Sequence, residues 1–261
     1  MSIIPINRLK VRLAEGKVVV GTMVAEFRQT AVMQCLLNAG LDWVIIDNEH
    51  GVFSSESQAE LSRTARLMGI TPIVRVAGLT YELISQALDG GAQGVMLPRV
   101  TSADQVRQAV AVVKYPPAGR RGSALGRGHT EFKGGDVVQM MADSNRETFV
   151  IVQIETREAV RHVDEILAVP GVDAALIGPN DLSIALGVPG RMRDPVLEDA
   201  IEKMMVSCAT HSVYPAIHTN DVALSADWGR RGMRLVSISS EAGFLQKAAR
   251  EAVDAIRHPG P

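Results

Sequence analysis

The chain has 261 residues, of which 46% are hydrophobic and 21% charged, a composition typical of a folded globular protein rather than a disordered or fibrous one. Its 27 basic and 29 acidic residues give a formal net charge of −2, so no positive surplus favours nucleic acid or an anionic membrane as a partner. We therefore expect small molecules to be its ligands.

Short β-branched apolar runs alternate with longer segments of helical periodicity, the pattern of repeated β-α units. The eight predicted strands cover 18–24, 43–47, 72–76, 94–98, 149–155, 174–179, 214–218 and 234–239. The eight predicted helices cover 29–40, 56–69, 80–91, 102–114, 157–169, 194–211, 221–232 and 241–258. These elements predict a TIM (β/α)8 barrel that forms a single domain over residues 1–261. The alternative is an open doubly wound sheet, but the glycine-rich phosphate turn typical of that fold does not follow the first strand.

Residues 114–145 interrupt this rhythm with a segment rich in Gly, Pro and Arg. Such a long connection predicts an excursion over one face of the barrel that serves function or a subunit contact. The two distant cysteines, Cys35 and Cys208, match neither a disulfide framework nor a zinc motif. No apolar run approaches the ~18 residues of a membrane span. We expect a cytoplasmic protein without a membrane partner.

In a TIM barrel the active site is built at the carboxyl ends of the strands, so the residues there are the first candidates. Those at or just after the predicted strand ends include Asp47, Asn48, Glu49, His50, Arg75, Gln153, Glu155, Gly178, Asn180, Asp181, Ser183, His218, Ser237 and Ser239.

Glu155 and Asp181 follow consecutive predicted strands, which as neighbours would lie ~4.8 Å apart and bring the two carboxylates together. Two oxygen ligands with positions left for water and substrate suit Mg²⁺, and Mn²⁺ or Co²⁺ fits the same hard site. Alternatively, each carboxylate caps the helix that follows it. The spacing alone leaves both interpretations open.

Arg75 lies within an apolar strand, where a permanent charge is costly to bury unless it is paired or binds an anion. It is expected either to form an internal salt bridge with Asp47 or to contact an anion or enolate at the strand end. His50 follows the second strand directly, and an imidazole at this place suits proton transfer near neutral pH. No lysine is predicted at a strand end, which argues against a Schiff-base aldolase.

Six segments taken together resemble the HpcH/HpaI aldolase family, the class II, metal-dependent pyruvate aldolases of the citrate-lyase superfamily. They are DNEH (47–50), IVRV (73–76), ALDGGAQGVMLPRV (87–100), YPPAGRRG (115–122), VQIET (152–156) and GPNDLSIALG (178–187). The resemblance covers nearly the whole chain in the order and spacing of the family.

The resemblance implies that Glu155 and Asp181 bind the metal and that Arg75 binds the keto or enolate oxygen of pyruvate. It also implies a proton-transfer system of His50, with Asp47 nearby and Asp89 behind it. Gln153 is expected to hold the keto acid, and backbone N–H groups around Gly178, Asn180 and Asp181 to receive its carboxylate.

The resulting prediction is a carbon–carbon lyase that reversibly cleaves 2-keto-4-hydroxy acids to pyruvate, or hydroxypyruvate, and an aldehyde through a metal-stabilised enolate. Oxaloacetate decarboxylation is expected as a side activity. The alternatives are a CoA-ester lyase of the same superfamily and a non-catalytic keto-acid-binding barrel. The resemblance further implies a hexamer, a trimer of dimers, in which the C-terminal helix is exchanged between subunits.

Three features depart from the family pattern and concern substrate choice. Asn48 stands where the family has glycine, and Asn180 stands where many members have alanine. Within the glycine-rich segment, Arg121 and Arg127 are expected either to recognise an acidic or hydroxylated aldehyde or to contact another subunit.

Overall fold

Eight parallel strands close into a barrel in the computed structural model, which describes residues 3–258. The strands are β1 (Val19–Val24), β2 (Trp43–Asp47), β3 (Thr71–Arg75), β4 (Gly94–Leu97), β5 (Phe149–Ile154), β6 (Ala174–Ile177), β7 (Tyr214–Thr219) and β8 (Leu235–Ser240). They pair in chain order, and β8 pairs with β1. The predicted TIM barrel is confirmed, and the closed sheet excludes the doubly wound alternative.

Helices surround the sheet and supply the connections between parallel strands. They are α1 (Arg8–Ala14), α2 (Ala31–Asn38), α3 (Ser55–Met68), α4 (Tyr81–Asp89), α5 (Ala103–Val113), α6 (Val137–Glu147), α7 (Arg157–Arg161), α8 (Val163–Leu167), α9 (Pro179–Leu186), α10 (Pro195–His211), α11 (Val222–Arg230) and α12 (Glu241–Arg257). None of the helices among residues 3–258 is long and apolar enough to cross a membrane.

Apolar side chains fill most of the lower and middle parts of the barrel, below the polar groups at its carboxyl end. The interior cluster contains Leu9, Leu13, Val19, Trp43, Ile45, Ile73, Met96, Phe149, Ile151, Ala174, Leu176, Ala216 and Leu235. A second apolar cluster packs between the outer face of the strands and the surrounding helices. Side chains alternate along a strand, and the next inward positions in β2, β3, β5, β7 and β8 are therefore Asp47, Arg75, Gln153, His218 and Ser237.

Helix α1 was not predicted from the sequence, and it belongs to the interior cluster. The Asn7 side chain accepts hydrogen bonds from the backbone N–H of Leu9 (3.1 Å) and Lys10 (3.4 Å), which starts the helix. Leu9 and Leu13, one turn apart, are then buried with the barrel residues. The asparagine cap and this leucine spacing were the available signal.

The segment 114–145 is more regular than the predicted loop excursion. It contains a 3-10 turn (Gly128–Thr130) and most of α6, whose Met140 is buried. The single helix predicted over 157–169 is also wrong, because α7 and α8 are separate helices that meet at His162.

Helix α12 is amphipathic, yet it leaves the barrel surface almost at once. Glu241 is buried at its start, but residues 245–258 are all exposed. Its apolar side chains Leu245, Val253 and Ile256 recur on one side of the helix and lack a partner within the described part of the chain.

Candidate active site

A cavity of about 150 Å³ opens at the carboxyl ends of the strands. Its lining residues are Met23, His50, Arg75, Met96, Gln153, Leu176, Gly178, Pro179, Asn180, Asp181 and His218. The structure thus brings together seven of the residues singled out from the sequence: His50, Arg75, Gln153, Gly178, Asn180, Asp181 and His218. Glu155 lies beside this lining, as the contacts below describe.

Arg75 is held by two carboxylates at the floor of this cavity. Asp47 and Arg75 stand opposite one another on β2 and β3, and the guanidinium donates to both Asp47 oxygens, from Nε at 2.8 Å and Nη2 at 2.6 Å. Its Nη1 lies 3.2 Å from Glu49. Burial opposes the charge of Arg75, but Asp47 and Glu49 raise its pKa above the ordinary value. The salt bridge considered from the sequence is present, and it fixes a cation that also faces the cavity.

Glu155, which follows β5, is buried and oriented by neighbouring donors. Its Oε1 accepts the backbone N–H of Arg99 at 2.9 Å, and Oε2 accepts the Gln153 amide. Arg99 has φ +53°, an uncommon conformation for a residue with a side chain. Burial raises the pKa of Glu155 above its ordinary value, and the negative charges of Glu49 and Asp181 raise it further. Burial and the neighbouring negative charges thus disfavour the ionised form of this carboxyl group.

The residues around Glu155 fit a hard divalent cation. Because Gly178 has no side chain, space remains there: a Cβ would lie 3.3 Å from Glu155 Oε2 and 3.2 Å from Gln153 Nε2. Asp181, in the first turn of α9, also lines the cavity. No cluster of three or more His, Cys, Asp or Glu side chains with metal-binding geometry occurs within residues 3–258. Two carboxylates nevertheless suffice for Mg²⁺, which usually retains several waters and binds substrate oxygens.

His50 projects from the turn after β2, with 69% of its side chain exposed. Asp47 Oδ1 accepts the backbone N–H groups of Glu49 (3.0 Å) and His50 (3.4 Å), so Asp47 shapes the turn that carries the imidazole. Burial opposes the charge of Asp47, but Arg75 and these N–H groups lower its pKa below the ordinary value. Asp47 is therefore an anion that orients both Arg75 and the His50 turn.

His218 forms the opposite wall of the cavity and had no role assigned from the sequence. It stands opposite Ser237 in the β7–β8 register, and its Nδ1 lies 2.8 Å from Ser237 Oγ. Burial, aided by Arg75 and opposed by Asp47, lowers the His218 pKa to about 4. The imidazole is thus neutral at pH 7, and Nε2 remains for a ligand. The sequence could have indicated a role for His218, because this residue occupies an inward-facing position at the end of a strand.

Three residues predicted near the substrate lie elsewhere. Asp89 ends α4 and precedes β4, at the amino end of the barrel, where Arg121 Nη2 donates to it at 2.5 Å. The expected pairing of Asp89 with His50 is therefore not formed within one chain, and Arg121 does not line the cavity. The Asn48 side chain turns away and donates to Gln58 on α3 at 2.6 Å.

Comparison with known proteins identifies the family of the chain. The family model HpcH/HpaI aldolase/citrate lyase matches residues 23–247. The chain belongs to this family. The crystal structure of an HpcH/HpaI aldolase from Desulfitobacterium hafniense superimposes with a TM-score of 0.92 at 33% identity and covers 97% of both chains.

Two relatives have more specific names. A hydroxypyruvate/pyruvate aldolase from Roseovarius nubinhibens is 33% identical over 95% of this chain and 96% of its own length. A 4-hydroxy-2-oxo-heptane-1,7-dioate aldolase from Escherichia coli is 33% identical over 93% of this chain and 92% of its own length. This family member is a carbon–carbon lyase.

Proposed function

We propose that the chain is a divalent-metal-dependent aldolase that reversibly cleaves 2-keto-4-hydroxy acids to pyruvate or hydroxypyruvate and an aldehyde. The observation that carries this proposal is the buried Glu155, which lies with Glu49 beside a cavity lined by Asp181 and the Arg75 guanidinium. Oxaloacetate decarboxylation is the expected side activity, because it passes through the same pyruvate enolate.

Glu155 and Asp181 would hold the cation, with Mg²⁺ as the first candidate and Mn²⁺ or Co²⁺ as alternatives. A bound cation would polarise the keto group of the donor and make its C3 proton removable. The raised pKa of Glu155 and the space beside Gly178 support this assignment.

Arg75 would donate to the keto oxygen of the donor and stabilise the negative charge that develops there. Its position is fixed by Asp47 before substrate arrives, so little reorganisation is needed in the transition state. Gln153 and the N–H groups of Asn180 and Asp181, at the start of α9, would bind the donor carboxylate. The neutral His218 would hydrogen-bond a substituent on C3, which suits a hydroxylated donor.

His50 would transfer the proton to and from the aldehyde oxygen. Its exposure allows it to exchange that proton with solvent, and Asp47 holds the turn on which it stands. Asp89 would join this proton transfer only if another subunit supplied it, because it lies at the other end of its own barrel.

Solvent deuterium exchange into C3 of pyruvate and hydroxypyruvate tests the proposal without an aldehyde. NMR should record exchange with Mg²⁺ or Mn²⁺, its loss in excess EDTA, and its loss in Arg75→Ala. The exposed Arg107→Ala, on α5, is the matched control and should exchange like the wild type. If neither donor exchanges with any of these metals, the aldolase proposal is wrong, and a CoA-ester lyase or a keto-acid-binding barrel replaces it.

We further propose that the chain is a cytoplasmic homo-oligomer, a hexamer built as a trimer of dimers, in which α12 packs on a second copy. The exposed apolar face of α12 supports this, and an apolar groove lined by Phe27, Val32, Leu36, Phe244 and Leu245 offers a complementary surface. Light scattering coupled to size-exclusion chromatography should give the molar mass of six chains. The Ile256→Glu variant should give a smaller molar mass. A monomeric wild type would contradict the proposal.

A further inference from the structure

A second polar cavity lies at the amino end of the barrel, away from the candidate active site. Its volume is about 20 Å³, and its lining includes Arg66, Arg121, His129 and Ser144. Gln93 and Thr148, which also line it, directly precede β4 and β5. Helices α3 and α6, the segment between α5 and α6, the N-terminal segment and the turns before β4 and β5 thus meet here.

Arg66 is a buried cation without a close carboxylate. Only 9% of its surface is exposed, and its guanidinium donates to the carbonyl oxygens of Gly91 (3.3 Å) and Gly128 (2.8 Å). Among residues 3–258, no Asp or Glu oxygen lies within 4.0 Å of it; Glu131 acts on its charge at longer range. A buried charge is strongly disfavoured unless an opposite charge compensates it.

Arg121 adds a second buried cation, and it is 3% exposed. Asp89 accepts from its Nη2 at 2.5 Å, and no other carboxylate among residues 3–258 is paired with Arg121. Glu147 also lines the cavity, but its oxygens accept from the Asn7 backbone N–H (2.9 Å) and from Arg146 Nε (3.0 Å). The cavity wall therefore carries more positive than negative charge.

Each of the four main lining residues also has a buried polar atom with no hydrogen-bond partner among residues 3–258, although His129 Nδ1 lies 3.8 Å from Asp89 Oδ1. These atoms are Arg66 Nε, Arg121 Nε, Ser144 Oγ and His129 Nδ1. Burial, aided by Arg121 and Arg66, lowers the His129 pKa to about 3, so its ring is neutral. The Tyr115 hydroxyl lies 3.3 Å from His129 Nε2 and can donate to it, which leaves the proton on Nδ1.

All four atoms can then act as hydrogen-bond donors. A ligand in this cavity must therefore be able to accept several hydrogen bonds. One water molecule has two lone pairs and cannot satisfy four donors, whereas a monatomic anion accepts from every direction. The volume accommodates about one small particle. We propose that this cavity binds a halide-sized monovalent anion, chloride in the cell, which clamps the segment between α5 and α6 to α3.

Thermal unfolding in chloride and in gluconate, at equal ionic strength, tests the site. The wild-type melting temperature should rise by about 5 °C over a hundredfold increase in free chloride, because the anion binds only the folded chain. Gluconate is too large to enter and should give no rise. In Arg66→Gln the chloride response should be lost, whereas the exposed Arg107→Gln should retain the wild-type response.

Three results would overturn the proposal. Equal melting temperatures in both salts would indicate that only water fills the cavity. A chloride response that Arg66→Gln keeps would place the anion elsewhere, and a larger response to phosphate would exclude a halide-sized site. If Arg66→Gln does not fold, ³⁵Cl line broadening of the wild type and of Ser144→Ala replaces it: chloride binding must be seen, and it must weaken in the variant.

Discussion

The two ends of the barrel carry opposite imbalances of buried charge. At the carboxyl end, Asp47, Glu49 and Glu155 surround the single guanidinium of Arg75. At the amino end, Arg121 pairs with Asp89, and buried Arg66 has no carboxylate within 4.0 Å among residues 3–258. A folded chain tolerates such imbalances only when something compensates them. The comparison therefore indicates a bound cation at the first end and a bound anion at the second.

The largest expected effect comes from Glu155→Gln. This change preserves shape but removes one of the two proposed metal-binding charges, so metal-dependent deuterium exchange should fall by about 1000-fold or more. Mn²⁺ affinity, measured by electron paramagnetic resonance, should fall with it, while circular dichroism stays that of the folded chain. If this variant exchanged deuterium at the wild-type rate, the carboxylate of Glu155 would not be needed to bind the cation, and the proposed metal site would be wrong.

Arg75→Lys should have the next largest effect, a loss of about 100-fold in kcat/KM for aldol cleavage. Lysine keeps the charge but cannot donate in parallel to both Asp47 oxygens, so the cation is no longer fixed before substrate binds. Steady-state kinetics on a 2-keto-4-hydroxy acid would measure it, with Arg107→Lys as the control. A loss below threefold would mean that charge alone matters at this position.

The buried histidines should make the fold less stable in mild acid. The pKa values of His218 and His129 are lowered to about 4 and about 3, so below pH 6.5 the unfolded chain binds more protons than the folded one. Stability should therefore fall with pH, by about 2 kcal/mol in total between pH 7 and 5.5.

Urea unfolding at constant salt across that range would measure this loss. His129→Gln should remove about half of it, whereas the half-exposed His162→Gln should leave it unchanged. An identical pH dependence in the His129 variant and the wild type would contradict the account.

Asp89→Asn should produce the smallest and most specific change. Removing the close carboxylate at the amino end increases the positive surplus, so chloride should bind about threefold to tenfold more tightly. The chloride concentration that gives half of the maximum rise in melting temperature would measure this change in affinity. Weaker chloride binding in Asp89→Asn would show that the carboxylate does not compete with the anion for the two arginines.

The barrel and most of its carboxyl-end site could be predicted because both depend on local patterns. Apolar strands at β-α spacing fix the closed sheet, and polar residues at strand ends then converge whatever the helices do. Arg75, Gln153 and Asp181 follow from that rule alone. The carboxylate partners of Arg75 follow less directly, since Asp47 was considered but Glu49 was given no role.

The amino end could not be predicted in the same way. Arg66, Arg121 and Asp89 lie in three separate segments, and no periodicity relates a residue of α3 to the folded connection before α6. The motif that contains Asp89 indicated the protein family, but it did not indicate at which end of the barrel Asp89 lies. The same limit applies to α12, whose amphipathic pattern does not reveal whether its apolar face packs on its own barrel.

Anomalous diffraction from crystals soaked in Mn²⁺ and bromide would test the opposed charges of the two ends most directly. The account predicts one manganese peak between Glu155 and Asp181, and one bromide peak beside Arg66 and Arg121. Manganese absent from the carboxyl end, or bromide found there and not at the amino end, would contradict the claim that buried charge imbalance sets the sign of each ligand.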